Sequence, residues 1–142
     1  MANYVVDASV VIEYLISGPY TANTRVLFAQ VTPNDRLIVP EFCLLECTNV
    51  LWKQVRFQGM AVAQAEAVLK HLRKLPLLRV PVKAMLNSAL RIGLTRGLAV
   101  YDSAYVALAK RSQYPLITID QPQQRAATAE RVALKPVTDF IL

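Results

Sequence analysis

Short runs of Val, Ile and Leu alternate along the chain with longer stretches in which apolar side chains return every three or four residues. The first pattern predicts buried strands and the second amphipathic helices. Asn3 to Val6 reads as an opening strand, and the residues after Asp7 as a helix that stops near Ser17-Gly18-Pro19. Helical spacing returns from Ala22 to Val31 and ends at Thr32-Pro33-Asn34-Asp35, a cluster of turn formers. Arg36 to Val39 is a second strand, and Pro40 suits the opening of the next helix, where its missing N–H costs nothing. That helix runs to about Phe57, with Gly59 as its stop. Its expected apolar stripe is Leu44, Leu45, Thr48, Leu51, Trp52 and Val55. A further helix from about Ala61 to Lys74 is expected to bury Val62, Ala65, Leu69 and Leu72, and Leu77 to Val80 forms a short strand between two prolines. Val82, Met85, Leu86, Ala89 and Leu90 follow the spacing of one helix face, which Gly93 and Gly97 interrupt. A helix from about Asp102 to Arg111 leads to Leu116–Ile119, the continuous apolar run of a strand covered on both faces. A short helix around Gln123 to Arg131 and a last strand near Leu134 to Val137 complete the pattern.

Strands separated by helices require right-handed crossovers and a parallel sheet with helices on both faces. The expected fold is therefore α/β: a three-layer α/β/α sandwich around a mainly parallel sheet. The 142 residues suit a single domain spanning 1–142, and an apolar share of 54% supplies its core. No apolar run reaches the roughly 20 residues of a membrane-spanning helix. The opening MANYVVDASVVIEYL lacks a basic stretch ahead of its apolar one, so it reads as strand and helix and not as a signal peptide. A cytoplasmic protein is expected. Cys43 and Cys47 lie four apart in one helix, which suits small buried residues better than a disulfide or a zinc site. A net charge of +6 favours an anionic partner, although the basic residues are scattered and form no polybasic arm.

Against this pattern, the positions of four acids stand out. Asp7 follows NYVV and Asp120 follows LITI, so each sits at the C-terminal end of a strand, the edge where open parallel sheets bind ligands. Glu46 lies within the helix that leaves the second strand at that edge, in the otherwise apolar FCLLECTNVLW. Asp102 opens the helix that feeds the LITI strand. Taken singly, Asp7 and Asp102 read as helix caps and Asp120 as a turn former. Taken together, the topology brings all four to one crevice, where their repulsion requires a cation. Ligands that are all oxygen, without His or Cys, select Mg²⁺ or Mn²⁺ over zinc.

Four stretches, VVDASVVIEYL, VPEFCLLECTNVLWK, LAVYDSAYVALAKR and PLITIDQ, resemble those of PIN-domain ribonucleases, and the chain is most similar to the VapC-type toxins of toxin–antitoxin pairs. In order and spacing they cover almost the whole chain. The resemblance implies Mg²⁺- or Mn²⁺-dependent endonuclease activity on RNA, with Asp7, Glu46, Asp102 and Asp120 as the catalytic and metal-holding quartet. It also implies a homodimer and a small antitoxin protein that blocks the site. A catalytically inactive PIN module that binds RNA or a protein partner is the alternative.

Around the quartet, Ser9 stands where the family often has a small polar residue, with a helix N-terminal hydroxyl as its plain alternative. Thr118 precedes Asp120 by two and is expected on the same side of its strand, where it can orient a carboxylate or water. Asn49, one turn from Glu46, fits the family's E-x-x-N pattern and is assigned a supporting hydrogen bond. Lys53, Arg91 and Arg96 are basic residues that can flank the cleft, while His71 lies off the apolar stripe among Lys70, Arg73 and Lys74. The segment Gln121-Pro122-Gln123-Gln124 departs from the family's usual basic or small residue followed by an apolar one, and no fifth acid follows Asp120 closely. Phosphatase and receiver-domain readings lack their second acid or their late lysine, and the four scattered glycines form no phosphate-binding loop.

Overall fold

A computed structural model describes Met1–Leu142. Its four strands are β1 (Asn3–Val6), β2 (Arg36–Pro40), β3 (Leu77–Val80) and β4 (Leu116–Ile117). The helices are α1 (Ala8–Leu15), α2 (Thr21–Gln30), α3 (Cys43–Gln58), α4 (Val62–Lys74), α5 (Leu86–Arg96), α6 (Val100–Ser112) and α7 (Gln121–Ala129). The sheet runs β3-β2-β1-β4, and every pairing is parallel. Helices α1 to α4 pack among themselves over one face, while α5, α6 and α7 pack together over the other. The expected three layers are thus present. No helix is long and apolar enough to cross a membrane.

The chain winds from β1 outward through β2 to β3, then crosses back to place β4 on the other side of β1. Strand order therefore reverses at β1, and the C-terminal ends of β1 and β4 open the crevice typical of such a switch point. Val5, Val6, Leu37, Val39, Leu116 and Ile117 are almost completely buried at the sheet's centre. Both faces of these strands are covered, which explains their unbroken apolar runs.

Several details differ from the sequence-based expectation. The final strand is a single bridge between Leu134 and Leu116, and Val137 instead begins a 3-10 turn over Val137–Asp139. Pro136 has no N–H to extend a ladder there. Strand β4 likewise stops at Ile117, so Thr118 and Ile119 continue past it toward the site. Gly93 does not end a helix but lies inside α5, and a Cβ there would stand 2.8 Å from the Leu98 carbonyl oxygen and 3.3 Å from Ser103 Oγ. Its missing side chain lets α5 lie close against the start of α6. Gly97, with φ of 66°, is the residue that caps α5.

The apolar stripe of α3 is rotated from the expected one. Cys43, Cys47 and Leu51, at i, i+4 and i+8, face the core, whereas Leu45 and Trp52 are 71% and 56% exposed. Small thiols allow α3 to sit close to the layer beneath, and both cysteines are free. Similarly, α5 and the turn before it bury Met85, Ala89 and Ile92, and leave Leu86 and Leu90 half exposed. In α4 only Leu72 is fully buried, and Val62 lies at the surface.

Candidate active site

Asp7 ends β1 and caps α1: its Oδ2 accepts from the Ser9 N–H at 3.2 Å. Capping leaves the rest of the carboxylate free for other donors. Thr118 Oγ1 donates to the same oxygen at 3.2 Å, and Gln123 Nε2 donates to Oδ1 at 3.3 Å. Asp7 is only 5% exposed, and this burial pushes its carboxyl above the usual range despite the hydrogen bonds that oppose it. Asp120 caps α7 in the same manner, with its Oδ2 accepting from the Gln123 N–H at 3.0 Å. The cap and site readings of these two acids are therefore compatible.

Between them lies a small hydroxyl network. Ser9 Oγ accepts from the Ile119 N–H at 3.2 Å, and Thr118 Oγ1 accepts from the Asp120 N–H at 3.1 Å. The two hydroxyl oxygens are 3.5 Å apart. Ser9 and Thr118 thus tie the end of β1 to the stretch beyond β4. The expected supporting bond of Asn49 is absent: its side chain is exposed and makes no hydrogen bond, because the face it occupies turns outward.

Glu46 projects from the first turn of α3 and accepts from the Tyr105 hydroxyl at 2.7 Å. Its carboxyl is pushed up from 4.5 to about 7, chiefly by burial and further by the negative charges of Asp7 and Asp102. Asp102 lies in the first turn of α6, whose cap is Ala99, so it is not a helix cap. Its carboxyl is also raised, by burial first and then by Asp7 and Asp120. Each acid is thus within electrostatic reach of at least one other. As oriented, each carboxylate faces its own donors or solvent, and no three stand around a common point close enough to enclose an ion.

Two residues here escaped the sequence reading. Tyr105 is fully buried in the apolar AYVALA run, where nothing in the sequence marks its hydroxyl as the partner of Glu46. Gln123 is also fully buried, and its Nε2 reaches both Asp7 and the Asp102 carbonyl oxygen, the latter at 3.0 Å. Only the departure from the family pattern at Gln121–Gln124 hinted that this turn was unusual. Of the basic candidates, Lys53 and Arg91 are exposed, while Arg96 is bound to Glu130 at 2.7 Å. His71 is exposed on α4, away from the four acids.

The model of the PIN domain matches residues 4–129, most of the chain and all four acids. The chain belongs to the PIN-domain family. A curated relative, exonuclease VapC9 of Pyrobaculum aerophilum, is 29% identical over 119 residues, covering 83% of this chain and 80% of that protein. Among solved structures, PAE2754 from Pyrobaculum aerophilum superposes with a TM-score of 0.71 at 25% identity, over 97% of this chain and 92% of that one. VapBC2 from Rickettsia felis, bound to a DNA fragment from its promoter, gives a TM-score of 0.69 at 13% identity, over 94% and 98%. The second similarity speaks for the fold alone. Together with the family match, the VapC9 relative supports the nuclease class expected from the motifs.

Proposed function

We propose that this protein is an Mg²⁺- or Mn²⁺-dependent endoribonuclease that hydrolyses RNA phosphodiester bonds, and that it serves as the toxin of a VapBC-type pair. The observation that supports this reading is electrostatic: Asp7, Glu46 and Asp102 are all raised by burial, and Glu46 and Asp102 are raised further by neighbouring acids, Asp120 among them. A crevice that raises its own acids in this way favours a bound proton or a bound cation. The donor set fits a hard divalent ion because every side chain is an oxygen ligand. Such an ion, when bound, neutralises phosphate charge and lowers the pKa of a water.

The chain's own groups supply orientation. The Ser9 N–H and the Thr118 hydroxyl both hold Oδ2 of Asp7, and Tyr105 holds Glu46. Asp120 is held at the α7 N-terminus, where the helix dipole favours a negative charge. Asp102, with no hydrogen-bond donor of its own, is the carboxylate free to turn toward an ion. The net charge of +6 favours approach of an RNA chain despite the acidic crevice.

The test is cleavage of a circular single-stranded RNA. In Mn²⁺ the wild-type protein should linearise it, and D102N or excess EDTA should abolish the reaction. A circle left intact while linear RNA is degraded would make the activity exonucleolytic, as the name of the Pyrobaculum relative has it. Undiminished cutting in EDTA sinks the metal-dependent reading. An inactive binding module would cleave neither substrate and show no shift in melting temperature with Mn²⁺.

The proposal extends to partners and setting. The similar structures include VapBC and FitAB assemblies, such as the FitAcB structure from Neisseria gonorrhoeae. An antitoxin and a second copy of the chain both need apolar surface, and two faces offer it. One is the α3–α4 face with Trp52, Phe57 and Val62, and the other the α5 face with Leu86, Leu90 and Leu94. The proposed compartment is the cytoplasm, which suits two buried free cysteines. Co-expression with the product of a short adjoining reading frame, followed by light scattering, tests both associations. A monomer that ignores that product contradicts them.

A further inference from the structure

We propose that Gln123 is a positioning residue of the acidic crevice: its buried carboxamide fixes Asp7 against the backbone of Asp102, and its free carbonyl oxygen accepts a hydrogen bond from a water of a bound divalent cation. This rests on reading the crevice as a cation site. Glutamine is usually exposed, yet this side chain is wholly buried. Its Nε2 donates to Asp7 Oδ1 at 3.3 Å and to the Asp102 carbonyl oxygen at 3.0 Å. Both partners are acceptors, which fixes the orientation of the amide. Turned over, the amide would set its oxygen against a carboxylate and a carbonyl, with no hydrogen between them. Oε1 must therefore face away from both, and there it is buried with no donor in the chain.

A buried acceptor without a donor is destabilising, a cost that an apolar side chain of similar length would avoid. What glutamine supplies in return is geometry. Asp7 comes from the end of β1, Asp102 from α6, and Gln123 reaches both from α7. One amide thus sets the separation of two elements whose carboxylates repel. Oε1 shares its carbon with Nε2, so it stands one carboxamide width from those contacts. Hard cations such as Mg²⁺ keep several waters, and those waters are donors of the kind Oε1 lacks. Partners that orient ligands from behind typically cost 10–100-fold in metal affinity when removed.

Two measurements on the full chain test this. In the wild-type protein, the side-chain amide resonances of Gln123 should exchange slowly with solvent and shift on addition of Mg²⁺, saturating with the rest of the site. In Q123M, calorimetry should find Mn²⁺ bound at least about tenfold more weakly, with the melting temperature in the absence of metal within a few degrees of wild type. A packing role alone would not separate those two readouts. Amide resonances unmoved at saturating Mg²⁺ overturn the inference, and so does wild-type Mn²⁺ affinity in Q123M. If Q123M does not fold, the resonance measurement decides. If no resonance of the protein responds to either ion, the cation-site reading itself falls and this inference with it.

Discussion

Raising the pH from 5.5 to 8 should destabilise the protein without metal, and a divalent ion should reverse the loss. Glu46 titrates near 7 in the folded protein, against an ordinary 4.5. The folded state therefore holds this proton more tightly than the unfolded chain does. Stability from that proton is fully present below 4.5 and is lost as pH rises through 7. At about 1.4 kcal/mol per pH unit, the part of that gap crossed between pH 5.5 and 7 corresponds to roughly 2 kcal/mol, which solvent screening of a half-buried group trims to about 1 kcal/mol. Asp7 and Asp102 are raised as well and act with the same sign. Asp35 and Glu130 are lowered, so they gain stability with rising pH, but that gain is complete by the start of this window. For a chain of this size the loss amounts to a fall in melting temperature of about 2–5 °C. Mn²⁺ at a hundred times its dissociation constant adds about 2.7 kcal/mol at pH 8, and much less at pH 5.5, where protons compete for the carboxylates. The assay is a thermal melt at both pH values, with EDTA or Mn²⁺, on wild type and E46Q. The reasoning is refuted if the wild-type melting temperature in EDTA stays flat or rises between pH 5.5 and 8. It is equally refuted if E46Q, which has no proton to lose at that position, shows the full fall.

Other substitutions separate the roles of neighbouring groups. Y105F removes the donor that holds Glu46 at 2.7 Å, so the carboxyl should rise further and the pH midpoint of Mn²⁺ binding should move upward, as calorimetry across pH would read. T118V keeps the side chain's shape but deletes its hydrogen bonds to Asp7 and to the Asp120 N–H; it should cost about 1–2 kcal/mol in a denaturant melt and about tenfold or more in cleavage rate. G93A sets a methyl group against the Leu98 carbonyl and should cost about 1–3 kcal/mol of stability by forcing α5 from α6, while leaving Mn²⁺ affinity unchanged in calorimetry.

The layers and the acids were legible in the sequence for a common reason. A parallel strand covered on both faces reads as an apolar run, and a polar residue directly after it marks the sheet edge. NYVV before Asp7 shows this at β1, and LITI before Asp120 shows it beyond β4. The faces of the helices were less legible. On α3, Leu45 and Trp52 looked like core, but Cys43 and Cys47 pack inward, because close approach there favours small side chains over large ones. Periodicity finds a stripe but does not choose between adjacent ones when the inner one is made of small residues. The same applies to Ala89 against Leu86 and Leu90 on α5. Tyr105 and Gln123 were invisible because their polar atoms gain meaning only from partners 59 and 116 residues away. Asn49 shows the converse, since a motif position one turn from Glu46 turned out to face solvent.

The central claim is that Asp7, Glu46, Asp102 and Asp120 together hold a divalent cation. Anomalous diffraction from crystals grown with Mn²⁺ addresses it most directly. The account predicts a Mn²⁺ peak in the crevice between the ends of β1 and β4, with carboxylate oxygens of these residues at coordination distance and Gln123 Oε1 facing one of its waters. A fully occupied Mn²⁺ peak elsewhere on the protein, with the four carboxylates apart and no density between them, would contradict it.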